Sequence, residues 1–116
     1  NINSFGEFYM QIYEKYHKDY VDACHLFRQE RARFYEELQE VSMLRVIPSQ
    51  ANYFLCELTT TKFTATELAV RLLAKHDILI KDCSGKASFR GRNFIRLAVR
   101  DRKDNHKLVE ALKTLE

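Results

Sequence analysis

The sequence predicts an α+β fold: a two-layer sandwich in which helices cover one face of a small, mainly antiparallel sheet, with a long N-terminal helix. Two observations predict it. Segments with apolar residues at helical spacing are separated by short extended segments. The 116 residues are also 46% hydrophobic and 30% charged with only three Gly and one Pro, which is typical of one ordered domain with a modest core.

The first predicted element is a long amphipathic helix. Apolar residues recur at helical spacing from Phe5 to Val41, and Ser4 with Glu7 forms a capping-box pattern, so the helix is expected to begin right after Ser4. An unbroken helix of this length would measure about 55 Å, which exceeds the diameter of so small a domain. We therefore expect a kink or break near His17–Asp19.

Aromatic residues are concentrated in the first twenty positions of this helix. They could form a face buried within this domain or a surface that docks onto another domain, and the sequence leaves both interpretations open. We predict that residues 1–20 form an interdomain helix and that residues 21–116 form the compact α+β domain. The aromatic residues concerned are Phe5, Phe8, Tyr9, Tyr13, Tyr16 and Tyr20.

The rest of the chain is predicted to alternate between extended segments and two shorter helices. Thr64 with Glu67 forms a second capping box, and Asp101 or Asp104 is expected to cap the last helix. The predicted elements are an extended segment at 45–48 ended by Pro48, a strand at 51–58, a helix at 65–76 with Leu68, Leu72 and Leu73 on its apolar face, a buried strand at 78–80, a loop at 84–92, a strand at 93–100, and a final helix with Leu108, Ala111, Leu112 and Leu115 on one face.

The strand at 93–100 contains arginines in an otherwise apolar pattern. Side chains alternate between the two faces of a strand, so Ile95, Leu97 and Val99 share one face and Arg96 lies on the other. If the apolar set faces the helices, the Arg96 guanidinium is free to bind an anion. Its two parallel donors match an edge of a carboxylate or phosphate, which makes Arg96 the leading candidate for a functional residue.

Charge and cysteine content narrow the possible functions. Residues 81–107 contain nine Lys or Arg and three acidic residues, which fits a solvated basic surface, an anion site or an acidic partner, whereas the net charge of +3 is too small to indicate nucleic-acid binding. The three cysteines lack close pairing and are predicted to be reduced thiols of a cytosolic protein. The four histidines lack the spacing of a metal site, and no apolar run is long enough to span a membrane.

Three segments resemble one family when they are considered together and in order. They resemble the C-terminal part of class I/II pyridoxal phosphate-dependent aminotransferases, and most closely the branch of histidinol-phosphate aminotransferase and threonine-phosphate decarboxylase. The resemblance covers essentially all 116 residues. The segments are Asn1-Ile2-Asn3-Ser4, Ile47-Pro48-Ser49-Gln50-Ala51-Asn52-Tyr53-Phe54, and Ile80-Lys81-Asp82-Cys83-Ser84 followed by Phe94-Ile95-Arg96-Leu97-Ala98-Val99-Arg100.

The resemblance implies that the chain is the small domain of a fold-type I enzyme, which closes over the active site. In the family, the Arg at the position of Arg96 holds the carboxylate or phosphate of the substrate. The closest branch also has an Arg at the position of Lys81, where it helps to bind a substrate phosphate; Lys keeps the charge but loses the two-point geometry. Asn3 and Asn52 are further substrate-binding candidates, although Asn52 also suits a hydrogen-bonding role where a loop meets a strand.

The resemblance further implies pyridoxal 5'-phosphate as the cofactor. In the family, the catalytic lysine and the phosphate cup lie in the large domain, so no catalytic, cofactor-binding or metal-binding residue is expected within this chain. The expected partners are an amino-acid or phosphorylated amine substrate and the large domain of the same protein, with no nucleic acid and no membrane. The parent is expected to be a cytoplasmic homodimer, and the isolated fragment is expected to associate with itself.

A non-catalytic interaction module is the alternative interpretation. Its basic sheet face would bind an acidic protein or RNA, although the tyrosines lie mostly on the first helix and are not interleaved with the arginines. The coding sequence upstream of Asn1 distinguishes the two interpretations, because only the enzyme requires a large domain with a cofactor lysine there.

Overall fold

The computed structural model describes residues 2–84 and 91–116, with side chains from Ser4 onward. A four-stranded sheet with strand order β1-β2-β4-β3 has only antiparallel neighbours. Together with three helices this is the predicted α+β fold, which is confirmed; most of the loop predicted at 84–92 lies outside the described residues. The elements are α1 (Ile2–Gln39), β1 (Leu44–Val46), β2 (Tyr53–Leu58), α2 (Ala65–His76), β3 (Lys81–Asp82), β4 (Phe94–Ala98) and α3 (Arg102–Leu115).

The chain divides into two compact units, Asn1–Glu30 and Arg31–Glu116. The described part of the first unit is helical throughout, and most of its large apolar side chains are exposed, whereas Phe27 is half-buried. The predicted break near His17–Asp19 is absent: α1 continues through that segment, which has no Pro and no Gly–Ser pair that would interrupt the backbone hydrogen bonds. The expected start after Ser4 is also wrong: α1 begins at Ile2, so Ser4 lies within the first turn and is not the N-cap.

The second unit contains the hydrophobic core. Alternate residues of β2 and β4 point toward the helices and are buried, as the period of two requires. The helices contribute the matching apolar residues, including all four predicted for α3. The core side chains include Phe34 and Leu38 from α1, Phe54, Cys56 and Leu58 from β2, Leu68 and Leu72 from α2, Ile95 and Leu97 from β4, and Leu108, Ala111, Leu112 and Leu115 from α3.

Capping residues set the ends of the two shorter helices. Thr64 and Glu67 form the predicted capping box at the start of α2, and Asp77 ends that helix in the left-handed region with φ of 56°. Asp101, one of the two candidates, caps α3 by accepting a hydrogen bond from the backbone N–H of Asp104 at 2.8 Å. Leu73 departs from the prediction because it is half exposed and lies outside the buried face of α2.

The third extended segment is displaced relative to the prediction. Residues 78–80 are not a strand; pairing with β4 begins at Lys81, and Leu79 is 83% exposed. An apolar run predicts burial but does not identify which residues join the sheet, because β3 is fixed by its register against β4. The second strand likewise begins at Tyr53, two residues later than predicted.

The cysteines are free thiols, as predicted. Cys56 and Cys83 are buried and Cys24 is half-buried. Burial raises the pKa of Cys56 to about 12, so this thiol is neutral and acts as a small core side chain. None of the helices in the described ranges combines the length and the apolar character needed to cross a membrane.

Candidate anion-binding site

Arg96 lies at the centre of β4 on the sheet face that points away from the core. Its neighbours Ile95 and Leu97 are fully buried and Val99 is nearly so, whereas Arg96 is exposed. The predicted separation of the two faces is therefore confirmed. The register places Arg96 between Leu55 on β2 and Lys81 on β3.

Lys81 and Arg96 form a cross-strand pair of like charge. They lie directly opposite each other in the antiparallel β3–β4 pair, so both side chains start from the same face of the sheet. Like charges at such positions destabilise a sheet, because Cβ atoms of opposite residues are only about 4.5–5.5 Å apart. An anion bound between the two side chains would remove this repulsion. The pairing thus joins the two cations that the family resemblance implicates in substrate binding.

Neighbouring cations on the same face are already neutralised. Glu57 on β2 accepts hydrogen bonds from Arg45 at 2.9 Å and from Arg92 at 2.7 Å. Among the described residues, no carboxylate lies within ion-pair distance of Lys81 or Arg96. These two side chains therefore retain positive charge that an incoming anion can meet.

Tyr53 restricts the Arg96 guanidinium, although sequence reasoning did not identify this role. The guanidinium carbon of Arg96 lies 4.9 Å from the centroid of the Tyr53 ring, within the range of a cation–π contact. The two residues lie on different strands, and Tyr53 is paired with Ala98. Only the register of β2 against β4 reveals this contact, so no sequence pattern could have found it.

An open cavity adjoins the pair. Its volume is about 470 Å³, which would accommodate a small charged substrate. Residues from the end of the α2–β3 connection, from β3 and from β4 line it. They are Leu79, Ile80, Lys81, Asp82, Arg96 and Ala98.

Asp82 follows Lys81 and is fully engaged in hydrogen bonds. Its Oδ2 accepts from the Thr66 hydroxyl at 2.5 Å, and its Oδ1 accepts from the Ser84 backbone N–H at 2.9 Å and from the Ser84 hydroxyl at 2.6 Å. Partial burial by itself would raise the pKa of Asp82, but the hydrogen bonds from Ser84 and Thr66 outweigh it and lower that pKa. Asp82 is therefore a carboxylate whose two oxygens both accept hydrogen bonds from neighbouring residues.

The two asparagine candidates are placed differently. Asn52 is exposed and immediately precedes β2, where its backbone carbonyl accepts a hydrogen bond from the Val99 N–H at 2.9 Å. It thus lies beside Val99, whose side chain belongs to the face opposite Arg96. Asn3 is in the first turn of α1, and its side chain is outside the described residues. The roles of both residues in substrate binding stay predictions.

The Glu57 cluster predicts an acid-sensitive contribution to stability. Hydrogen bonds from Arg92, and secondarily from Arg45, outweigh desolvation and lower the pKa of Glu57 from 4.5 to about 2. A depressed folded-state pKa stabilises the fold above the unfolded-state pKa, and this contribution is lost as pH falls from about 4.5 toward 2. At pH 7, Glu57→Gln should lower the free energy of unfolding by about 1 kcal/mol.

Urea denaturation of the wild-type chain and the Glu57→Gln variant at pH 7, 4 and 2.5 checks this prediction. The difference between the two proteins should shrink as the pH falls. Glu110→Gln provides a control, since Glu110 is an exposed carboxylate on α3. A difference that stays constant across this range would contradict the proposed ion-pair contribution.

Comparisons with known proteins find that the chain is similar to part of several longer enzymes. It is 33% identical over 112 residues to CMP-5'-(3-aminopropyl)phosphonate synthase of Streptomyces rubellomurinus, covering 97% of this chain and 18% of the relative. It is 31% identical over 117 residues to L-serine phosphate decarboxylase of Sulfurospirillum multivorans, covering 99% of this chain and 29% of the relative. Threonine-phosphate decarboxylase of Salmonella typhimurium is 34% identical over 91 residues, and the match covers 78% of this chain and 24% of the relative. No protein-family model matches the chain.

Solved structures show the same relationship. A decarboxylase from Sulfurospirillum multivorans matches 78% of this chain and 22% of its own with a TM-score of 0.72 and 30% identity. Histidinol-phosphate aminotransferase from Clostridium acetobutylicum matches 76% of this chain and 25% of its own with a TM-score of 0.68 and 36% identity. The comparisons give no support to the alternative of a non-catalytic interaction module.

The chain spans less than a third of the length of these relatives, between 18% and 29% for the curated proteins named above. The matched regions are C-terminal portions of the relatives. The chain is thus similar to a C-terminal portion of pyridoxal phosphate-dependent aminotransferases and decarboxylases, among them histidinol-phosphate aminotransferase and threonine-phosphate decarboxylase, as its motifs predict.

Proposed function

We propose that this chain is the small domain of a pyridoxal phosphate-dependent aminotransferase or decarboxylase and that it binds the anionic group of the substrate. The observation that carries the proposal is the juxtaposition of Lys81 and Arg96 on the open face of the sheet, opposite each other and without a carboxylate partner among the described residues. Arg96 would supply a planar two-point contact and Lys81 a compact point charge to the same anion.

A phosphorylated amine or amino acid is the substrate class that this pair fits best. A phosphate monoester carries nearly two negative charges at neutral pH and three oxygen acceptors, so it can meet both cations at once. A carboxylate has one charge and would be satisfied by Arg96 alone. The names of several relatives refer to phosphorylated compounds, including L-serine phosphate and histidinol phosphate, which supports this choice.

The cofactor is assigned to another part of the protein. A lysine that forms a Schiff base is typically desolvated in a pocket, whereas the lysine side chains in the described ranges are exposed or half-buried. We therefore assign the cofactor and its chemistry to a large domain elsewhere in the parent. We further propose that the parent is a cytoplasmic homodimer and that residues 1–20 connect the two domains.

The test is to express the full-length protein that contains this chain beside the 116-residue chain alone. The full-length protein should purify with bound pyridoxal phosphate and act on a phosphorylated amine such as O-phospho-L-serine or histidinol phosphate, and the short chain should retain no cofactor after dialysis. A full-length protein without cofactor, or a short chain that binds it stoichiometrically, would overturn the proposal.

Lys81→Ala is expected to separate the two substrate classes in the full-length protein. With a phosphorylated substrate, kcat/KM should fall about tenfold or more, because one of two charge-assisted contacts is lost. With the unphosphorylated counterpart the fall should be no more than about threefold, since Arg96 remains for the carboxylate. Equal losses for the two substrates would show that Lys81 does not contact the phosphate.

A further inference from the structure

The edge strand that presents Lys81 has little support of its own. It has two residues, Lys81 and Asp82, and is paired on one side only, because β3 lies at the end of the sheet order. Such a short edge strand does not by itself determine where a lysine ammonium will lie. The position of Lys81 relative to Arg96 must therefore depend on contacts that β3 makes outside the ladder.

The carboxylate of Asp82 supplies those contacts. One oxygen accepts from the hydroxyl of Thr66 in the first turn of α2, and the other accepts from the backbone N–H and hydroxyl of Ser84. The first contact joins β3 to a helix, and the second closes a local turn directly after the strand. Asp82 thus joins the segment that carries Lys81 both to α2 and to the turn that follows β3.

The first turn of α2 is itself fixed relative to β4. The capping box of Thr64 and Glu67 orders it, and the backbone N–H of Ala65 donates to the side-chain oxygen of Asn93 at 3.0 Å. Asn93 immediately precedes β4, the strand that presents Arg96. One helix terminus therefore holds β4 through Asn93 and holds β3 through the hydrogen bond from Thr66.

We propose that Asp82 is a positioning residue: by joining β3 to the first turn of α2, it holds the Lys81 ammonium beside the Arg96 guanidinium so that both bind one anionic group. This inference rests on the proposed function of the pair. A positioning role and a direct electrostatic role predict opposite changes in anion affinity when Asp82 is neutralised. A carboxylate close to an anion site weakens anion binding by repulsion, so its neutralisation alone should tighten binding. Positioning requires the opposite, a loss of affinity when Asp82 is neutralised.

Inorganic phosphate is the probe for this test. Its affinity for the full 116-residue chain can be measured by NMR titration at constant ionic strength. The variants are Asp82→Asn, Thr66→Val, Lys81→Ala and the double variant Asp82→Asn with Lys81→Ala. Thr66→Val removes the hydroxyl but keeps the β-branched shape. Asp101→Asn is the matched control, because it makes the same change of charge at the cap of α3 and Asn caps a helix equally well.

Asp82→Asn and Thr66→Val should each weaken phosphate binding about threefold to tenfold, and the double variant should bind no more weakly than Lys81→Ala alone, because residues that act through one contact are not additive. Asp101→Asn should leave the affinity unchanged or slightly higher. A purely structural role for Asp82 would lower the stability of the chain without this dependence on Lys81.

Other outcomes separate the two proposals. Unchanged or tighter binding by Asp82→Asn, or losses that add to those of Lys81→Ala, would overturn the positioning role while leaving the anion site intact. If Lys81→Ala binds phosphate like the wild-type chain, or if the wild-type chain binds none, the proposed anion site is wrong and the positioning role fails with it.

Discussion

Arg96→Ala in the full-length protein is expected to lower kcat/KM about 30-fold to 1000-fold, which corresponds to roughly 2 to 4 kcal/mol of lost substrate and transition-state binding. The guanidinium lies on the open sheet face, stacked on Tyr53 and without a carboxylate partner among the described residues. Removing it takes away the charge and both parallel donors. Arg96→Lys should fall between the wild type and Arg96→Ala, because it retains the charge but not the two-point contact.

Steady-state kinetics with a phosphorylated substrate and its unphosphorylated counterpart measure this effect. The absorbance spectrum of the bound cofactor should stay unchanged, because its contacts are assigned to the large domain. Arg45→Ala is the matched control: Arg45 lies on the same sheet face, but its guanidinium is engaged with Glu57. If Arg96→Ala leaves kcat/KM unchanged with both substrates, the arginine serves only the structure of the sheet.

Local sequence signals predicted the elements whose ends depend on nearby residues. The capping box of Thr64 and Glu67 placed the start of α2 where it is observed, and Asp101 was one of two candidates for the cap of α3. The alternation around Arg96 correctly assigned the faces of β4, because Ile95 and Leu97 are buried whereas Arg96 between them is exposed. These features follow from contacts between residues a few positions apart, which the sequence displays directly.

The errors arose where the local sequence did not determine the structure. The kink in α1 was inferred from the size of an isolated domain, but no residue near His17 interrupts the helix. The strand at 78–80 was inferred from an apolar run, whereas pairing with β4 selected Lys81–Asp82. In both cases the local pattern was compatible with the observed structure, but it did not determine it.

At the candidate site, too, the sequence predicted some features and not others. Alternation identified Arg96, and the family resemblance implicated Lys81, yet neither revealed that the two residues are direct cross-strand neighbours. The contacts of Arg96 with Tyr53 and of Asp82 with Thr66 depend on strand register and on the position of α2. Chemistry-bearing residue types could therefore be recognised from the sequence, whereas the groups that position them required the fold.

The core that supports this site should be sensitive to loss of one aromatic ring. Phe54 on β2 is 1% exposed, and its ring centroid lies 5.8 Å from that of Phe34 and 5.6 Å from that of Tyr35. Phe54→Ala would remove these contacts and leave a cavity that close-packed neighbours fill only in part. We expect it to lower the free energy of unfolding by about 3–5 kcal/mol, a large part of the roughly 5–15 kcal/mol typical of a domain.

Urea denaturation of the 116-residue chain, followed by circular dichroism, measures this loss as a lower midpoint at an unchanged slope. Phe8→Ala is the matched control, because Phe8 on α1 is an exposed aromatic residue of the same type, and its removal should change stability by less than about 0.5 kcal/mol. A loss below about 1 kcal/mol for Phe54→Ala would mean that β2 and α1 are not packed as described. The sheet would then lack the rigid support that Arg96 and Lys81 need to bind one anion together.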